Sequence, residues 1–220
     1  MKKAFTMIEL VFVIVVIGIL AATIIPSVKT NPVQEAAIQL VSHIRYTQHL
    51  AMVDDKHNDP VTDSDWEKGR WQMVFAFVGA AVDNHPSYTI FSDNDNGSGY
   101  GGDASSSEMA KNPQNIDQVM TGGHTGASNL TYANSSFIGV KKMNLGGSYG
   151  ITGISRTGGC SNLYHLTFDH LGRPMKGTHS PTTNTHAYIS SDCNLTLTDG
   201  TQSVSVIVTA ETGYAYLEQI

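Results

Sequence analysis

The 220-residue sequence contains few cysteines and few basic residues. The two cysteines, Cys160 and Cys193, do not fit the spacing of a cysteine-based metal site. If the part of the chain that contains them lies outside the cytoplasm, the two cysteines would form one disulfide that closes a loop of about 33 residues. Otherwise they are two unrelated buried thiols. The chain has 13 Lys and Arg against 19 Asp and Glu, for a formal net charge of -6. Because nucleic-acid affinity depends largely on neutralising phosphates, this acidic chain is a poor general binder of nucleic acid.

Charged residues are also absent from most of the N-terminal segment. Across residues 10–25, only Thr23 is neither apolar nor glycine. Two lysines followed by an apolar run commonly indicate a secretory signal peptide, but the carboxylate of Glu9 at the start of the run is unusual for one. As a helix, residues 5–28 would rise roughly 36 Å, which is enough to span a bilayer. The sequence therefore predicts a membrane anchor that is retained.

The residues at this start resemble a known signature. Residues 3–10 read Lys-Ala-Phe-Thr-Met-Ile-Glu-Leu, which resembles the processing site of type IV pilins and of the pseudopilins of type II secretion. The resemblance implies that a prepilin peptidase cuts between Ala4 and Phe5 and methylates the new amine of Phe5. Family members usually have glycine before the cut, whereas this chain has Ala4, the smallest substitute. The alternative interpretation is an unrelated signal anchor.

The same resemblance assigns assembly roles to Glu9 and Pro26. Glu9 would be the fifth residue of the mature chain, where the family keeps a glutamate, and Pro26 falls where many pilins have a proline that loosens the helix. A carboxylate in lipid is costly, so Glu9 is expected to pair with the amine of a neighbouring subunit's Phe5. Pro26 removes a helical hydrogen bond and clashes with the preceding turn.

The rest of the sequence predicts a second helix and then short strands. Asn31 is a good N-cap and Pro32 a good first helical residue, and apolar residues recur every three or four positions up to Val53. Beyond this amphipathic helix, strands are predicted at 71–78, 88–91, 137–140, 163–168, 187–190, 203–208 and 214–217, and the last two form a hairpin. The expected fold is α+β, a pilin fold in which a long N-terminal transmembrane and amphipathic helix packs on an antiparallel β-sheet head.

Four regions are expected along the chain: a prepilin leader at 1–4, a transmembrane helix at 5–28, an amphipathic helix at 29–55 that continues into the head, and a β-rich periplasmic or extracellular head at 56–220. A polar loop or insertion is expected near 92–135. Within the head, residues 168–173 and the pair Thr212-Gly213 resemble a strand end and a hairpin turn of the GspH/FimT group of minor pseudopilins.

Motifs that carry chemistry are weak. Asp93 and Asp95 lie in a Ser-Asp-Asn-Asp-Asn-Gly stretch that suits calcium, but Ala104 stands where a bidentate glutamate would be needed, and a plain turn is the favoured interpretation. Ser148 lies in a Gly-Gly-Ser-Tyr-Gly stretch that fits a nucleophile elbow, although a helix is not expected after it. The histidines His165, His170, His179 and His186 lack a convincing ligand set. No enzymatic activity and no cofactor are expected, with calcium as the weak exception.

These features predict a structural subunit, a minor pilin or pseudopilin, of a type II secretion pseudopilus or a type IV pilus that supports filament assembly and protein secretion. Expected partners are the prepilin peptidase, other pilins or pseudopilins, the inner-membrane assembly platform and inner-membrane lipid. The expected location is the bacterial inner membrane, single-pass with the head in the periplasm, and then a filament that can reach the cell surface.

Two alternatives stay open. One is a type IV pilus minor pilin for adhesion or DNA uptake, which is disfavoured for DNA because Lys176 is the only Lys or Arg after Arg173. The other, of a different class, is a membrane-anchored hydrolase that would use Ser148 as its nucleophile.

Overall fold

The structure, a computed structural model, describes residues 5–24, 31–56, 69–93, 104–161, 164–177 and 188–218. The chain divides into two compact units, Met1–Asn31 and Pro32–Ile220. The described helices are α1 (Met7–Ile24), α2 (Pro32–Val53) and α3 (Leu145–Tyr149). The described strands are β1 (Trp71–Ala76), β2 (Ser87–Ser92), β3 (Lys111–Asn112), β4 (Asn115–Val119), β5 (Gly153–Gly158), β6 (His165–Phe168), β7 (Pro174–Gly177), β8 (Cys193–Thr198), β9 (Ser203–Val208) and β10 (Ala215–Leu217).

Helix α1 is shorter than the transmembrane helix predicted over residues 5–28. It has 18 described residues, Met7–Ile24. Within the described parts of the chain, no helix combines the length and the apolar character needed to cross a membrane. The prediction of one long N-terminal transmembrane helix is therefore wrong. The N-terminal residues instead form two helices, α1 and α2, that belong to separate units.

Helix α2 buries one face along its whole length, as the spacing of its apolar residues requires. It starts at Pro32, whose missing N–H costs nothing at the first helical position. Its buried residues recur every three or four positions: Val33, Ala36, Ala37, Leu40, Val41, Ile44, Thr47 and Ala51. This stripe packs against strands of both main sheets and belongs to the main hydrophobic core.

Two four-stranded antiparallel sheets and a small hairpin form the rest of the second unit. The first sheet has the strand order β2-β1-β6-β7 and the second has the order β10-β9-β8-β5, while β3 pairs with β4. The predicted C-terminal hairpin is present, with Ala215 paired to Val208 and Leu217 paired to Val206. Strand β8 is central in its sheet and alternates buried and half-buried residues, so one of its faces points into the core.

Other stretches differ from the prediction. No strand covers 137–140, where Gly139 forms a single bridge to Val119, and within the described part of 187–190 only Tyr188 forms a bridge, to Met175. Of the polar region near 92–135, the described residues 104–135 contain β3, β4 and a short 3-10 helix. Apolar side chains scattered through this region explain its order, because they form a second buried cluster: Phe91, Ala104, Met109, Val119 and Leu130.

Candidate functional site

The surface of helix α1 is the candidate site at the N-terminus. Its described apolar side chains are exposed on every side of the helix, from 36% for Val16 to 87% for Met7. A helix that is apolar all round is normally buried within a protein assembly or in lipid. Helix α1 therefore needs partners that the first unit does not itself provide.

Glu9 and Phe5 lie at the start of this helix. The Glu9 carboxylate oxygen Oε2 accepts hydrogen bonds from the backbone N–H and the hydroxyl of Thr6, each at 2.9 Å. The Glu9 N–H donates to the Thr6 hydroxyl at 3.4 Å, which completes a capping box at the helix N-terminus. The side chain of Phe5 is 83% exposed. Ala4 and Pro26, the other two residues predicted to act in processing and assembly, lie outside the described residues.

The capping role of Glu9 is a feature that the sequence analysis missed. The spacing Thr6-x-x-Glu9 at the start of an apolar run is the sequence signature that could have revealed it. Glu9 Oε1 accepts no hydrogen bond from any residue in the described parts of the chain. Oε1 of the carboxylate can therefore accept a hydrogen bond from a donor outside the described residues.

The two cysteines are brought together in the second unit. Cys160 and Cys193 form a disulfide between Cα atoms 4.9 Å apart. Cys193 begins β8 and is paired across the sheet with Gly158, the last residue of β5. The disulfide therefore fastens an edge strand to a central strand of the second sheet. Both cysteines are buried, and their surroundings belong to the main core.

The stretch 168–173 that resembles the GspH/FimT strand end forms a tight turn around Asp169. Its carboxylate accepts hydrogen bonds from the backbone N–H groups of Leu171 and Arg173, at 3.0 and 2.8 Å. It also accepts one from Arg173 Nε at 2.8 Å and one from the hydroxyl of Tyr188 at 3.1 Å. Burial alone raises the pKa of Asp169, but these hydrogen bonds together with the charge of Arg173 lower the pKa below its ordinary value. Asp169 is therefore ionised and stabilises this turn. We call its contacts with Leu171, Arg173 and Tyr188 the Asp169 clasp.

Among the described residues, those considered for chemistry form neither a metal-binding group nor a nucleophile elbow. Asp93 is buried and Asp95 lies outside the described residues, and in the described ranges no group of three or more His, Cys, Asp and Glu side chains could hold a metal ion. Ser148 lies inside α3 and its hydroxyl donates to the carbonyl oxygen of Lys141 at 2.7 Å. This position is within a short helix, not at the strand-to-helix turn that a nucleophile elbow requires.

Of the four histidines named above, His165 and His170 lie in the described part of the chain. The ring nitrogen Nδ1 of His165 is 2.8 Å from Gln72 Oε1, across strands β6 and β1. His170 is exposed, and His179 and His186 lie outside the described residues.

Comparisons with protein-family models, with curated proteins and with solved structures found no match for this chain. The exposed apolar surface of helix α1 is therefore the main structural indication of function.

Proposed function

We propose that this protein is a structural subunit of an extracytoplasmic filament, a minor pilin or pseudopilin of a type II secretion pseudopilus or a type IV pilus. The observation that carries the proposal is the exposed apolar surface of α1. Burying one large apolar side chain stabilises an assembly by about 1.5–3 kcal/mol, so a row of such residues strongly favours association. Copies of the same helix, or similar helices of other subunits, would cover this surface by packing together.

The second unit supports the proposal because it carries its own core. Helix α2 and both main sheets contribute to that core, so it does not need α1 to cover its apolar side chains. Its disulfide suits an oxidising compartment such as the periplasm. A subunit of this kind can associate through its N-terminal helix while its head stays folded and available to partners.

Glu9 would select the contact between neighbouring subunits. Once a prepilin peptidase has removed residues 1–4, Phe5 carries a new, methylated amine. A carboxylate surrounded by apolar side chains gains most from an ionic partner that is also a hydrogen-bond donor. Glu9 Oε1 accepts no hydrogen bond from the described residues, and it would accept one from the Phe5 amine of the next subunit.

Incorporation into filaments tests this function. The variants Glu9→Ala and Thr6→Ala are compared in cells that assemble the filament, with immunodetection of the subunit in sheared filaments. Both variants lose the capping box, but only Glu9→Ala loses the carboxylate, so we expect about tenfold less incorporation for Glu9→Ala and a much smaller loss for Thr6→Ala. Normal incorporation of Glu9→Ala would contradict the pairing.

Mass spectrometry of the same filaments tests the processing step. The expected mature chain begins at Phe5 with a methylated amine, and a chain that keeps Met1–Ala4 in the filament would overturn the proposed cleavage. Absence of the protein from every filament fraction, in cells where it is stably expressed, would overturn the subunit function as a whole.

A further inference from the structure

A groove of about 520 Å³ lies beside helix α2 in the second unit. This volume falls within the usual range of small-molecule sites, about 300–1,000 Å³. One wall consists of exposed or half-exposed side chains of α2, and the opposite wall includes residues of the turn between β3 and β4. We call this space the α2 groove. Its lining includes six polar or charged residues: Glu35, Gln39, Ser42, His43, Lys142 and Tyr149.

A chain of hydrogen bonds runs along the floor of the α2 groove. The hydroxyl of Tyr149 donates to Gln39 Oε1 at 2.7 Å, which orients the amide of Gln39. Gln39 Nε2 then donates to the hydroxyl of Tyr88 at 3.0 Å and to the carbonyl oxygen of Lys142 at 2.9 Å. The hydroxyl of Tyr88 lies 2.7 Å from Nδ1 of His43.

This chain determines which nitrogen of His43 carries the proton. The hydroxyl of Tyr88 is fully buried, and of its two side-chain partners in the described residues Gln39 Nε2 can only donate, so Nδ1 of His43 is the acceptor for its single proton. The imidazole is then neutral with its own proton on Nε2. Burial keeps it in this form, because desolvation lowers the pKa of His43 to about 4. His43 lines the groove, and no residue in the described parts of the chain accepts from Nε2, so this N–H can donate to a ligand there.

The charges at the edge of the groove cancel. Lys142 Nζ lies 3.6 Å from Glu35 Oε1, and these are the two charged residues that line the groove. The groove therefore carries no net charge from these two side chains that would favour an anionic or a cationic ligand. The remaining polar lining consists of amide and hydroxyl groups and the imidazole of His43, and the groove is also lined by four apolar side chains, Ile38, Pro113, Met120 and Val140.

A purely apolar ligand does not fit this lining either, because it would leave the Nε2–H of His43 without an acceptor. Hydroxyl groups on a ring with apolar C–H faces satisfy both kinds of lining at once. We propose that the α2 groove binds a neutral saccharide of one or two rings, with a sugar oxygen as the acceptor for His43 Nε2. This site is independent of the filament function, since it involves neither α1 nor Glu9.

A blocking variant tests the site. The full chain is kept soluble in an amphiphile without a sugar headgroup and titrated with maltose, cellobiose and N,N′-diacetylchitobiose, with saturation-transfer NMR and calorimetry as readouts. We expect at least one probe to bind with a Kd between about 10 µM and 10 mM, and Ser42→Phe to weaken that binding at least about tenfold. His49→Phe is the matched control, because His49 is also exposed on α2 but does not line the groove.

A second pair of variants tests the donor. His43→Gln can keep both the acceptor for Tyr88 and an N–H donor in the groove, whereas His43→Leu removes both. We expect binding to survive in His43→Gln within about threefold and to fall at least about tenfold in His43→Leu. The proposal is overturned if no neutral probe binds below 10 mM, if Ser42→Phe binds as well as His49→Phe, or if a sialylated trisaccharide binds better than the neutral probes.

Discussion

Gln48 Nε2 of helix α2 donates a hydrogen bond to the carbonyl oxygen of Gly172 at 2.8 Å. The same nitrogen donates to the carbonyl oxygen of Thr212, also at 2.8 Å. Gly172 lies in the turn after β6 and Thr212 in the turn between β9 and β10, so one side chain of α2 contacts a turn of each main sheet. The two motifs that resemble the GspH/FimT group, residues 168–173 and Thr212-Gly213, thus contact the same side chain. We call this pair of hydrogen bonds the Gln48 joint.

The first prediction concerns this joint. Gln48→Glu keeps the length of the side chain but replaces the donor with a carboxylate that faces two carbonyl oxygens. We expect the free energy of unfolding to fall by about 2–3 kcal/mol at pH 7, because both hydrogen bonds are lost and like partial charges oppose each other. Denaturant unfolding measures the change. The control His49→Glu adds the same charge at an exposed neighbouring position, and equal losses in the two variants would contradict the proposed role of Gln48.

The second prediction concerns the close approach of Gly213 to Gly172. Gly213 has φ +67°, and a Cβ added there would lie 2.4 Å from the carbonyl oxygen of Gly172. Gly213→Ala should therefore lower the free energy of unfolding by roughly 2–4 kcal/mol, through backbone strain and through displacement of the neighbouring turn.

Gly153→Ala is the matched control for this variant. The nearest atom to a Cβ at Gly153 is Thr198 Cγ2 at 3.7 Å, which is an ordinary contact. Its stability should stay within about 0.5 kcal/mol of the wild type in the same denaturant titration. A Gly213→Ala protein as stable as Gly153→Ala would show that the two turns can separate without cost.

Parts of this fold could be predicted from the sequence because they depend on local signals. The bounds of α2 follow from Asn31, Pro32 and the regular spacing of its apolar residues, and the β9–β10 hairpin follows from two apolar strands around a glycine turn. The apolar run of residues 10–25 predicts that the segment is buried, but it does not predict where α1 ends. Strand β5, Gly-Ile-Ser-Arg-Thr-Gly, has too few strand-forming residues to be recognised without its partner β8.

The α2 groove could not be predicted from the sequence, because its floor joins distant residues. Gln39 and Tyr149 are 110 positions apart and form their hydrogen bond because α2 and α3 pack against each other. Glu9 was recognised from its neighbours in sequence, whereas the orientation of His43 depends on Tyr88, 45 positions away. Long-range contacts of this kind leave no periodic signal along the chain.

The third prediction concerns the Asp169 clasp. Asp169→Asn removes the charge that pairs with Arg173 and leaves the guanidinium without its carboxylate partner, although Asn can still accept from Leu171 N–H. We expect a loss of about 2–3 kcal/mol in the free energy of unfolding, because the carboxylate is buried and Arg173 is partly exposed. Arg173→Lys keeps the positive charge but loses the contact that both Nε and Nη2 of Arg173 make with Asp169 Oδ2. Its loss in the free energy of unfolding should therefore be smaller. A larger loss for Arg173→Lys than for Asp169→Asn would contradict the clasp.

The fourth prediction concerns the disulfide between Cys160 and Cys193. Its loop spans 33 positions, and closing a loop of this size stabilises a protein by roughly 2–4 kcal/mol. The double variant Cys160→Ser/Cys193→Ser should therefore unfold at lower denaturant concentration than the oxidised wild type. The wild type in excess reducing agent is the control and should approach the stability of the double variant. An unchanged midpoint after complete reduction would show that the disulfide does not constrain the unfolded chain.

The last prediction is a pH dependence caused by His43. In the unfolded chain this imidazole has a pKa near 6.5, and in the folded protein burial lowers its pKa to about 4. Below pH 6.5 the unfolded state therefore binds a proton that the folded state does not, so stability falls as the pH decreases. We expect a loss of roughly 2 kcal/mol between pH 6.5 and about 4.5, which is above the range in which Asp169 titrates. Urea unfolding across this range should show the loss in the wild type and in the exposed control His49→Gln, but not in His43→Gln; an equal slope in all three proteins would assign the effect to other groups.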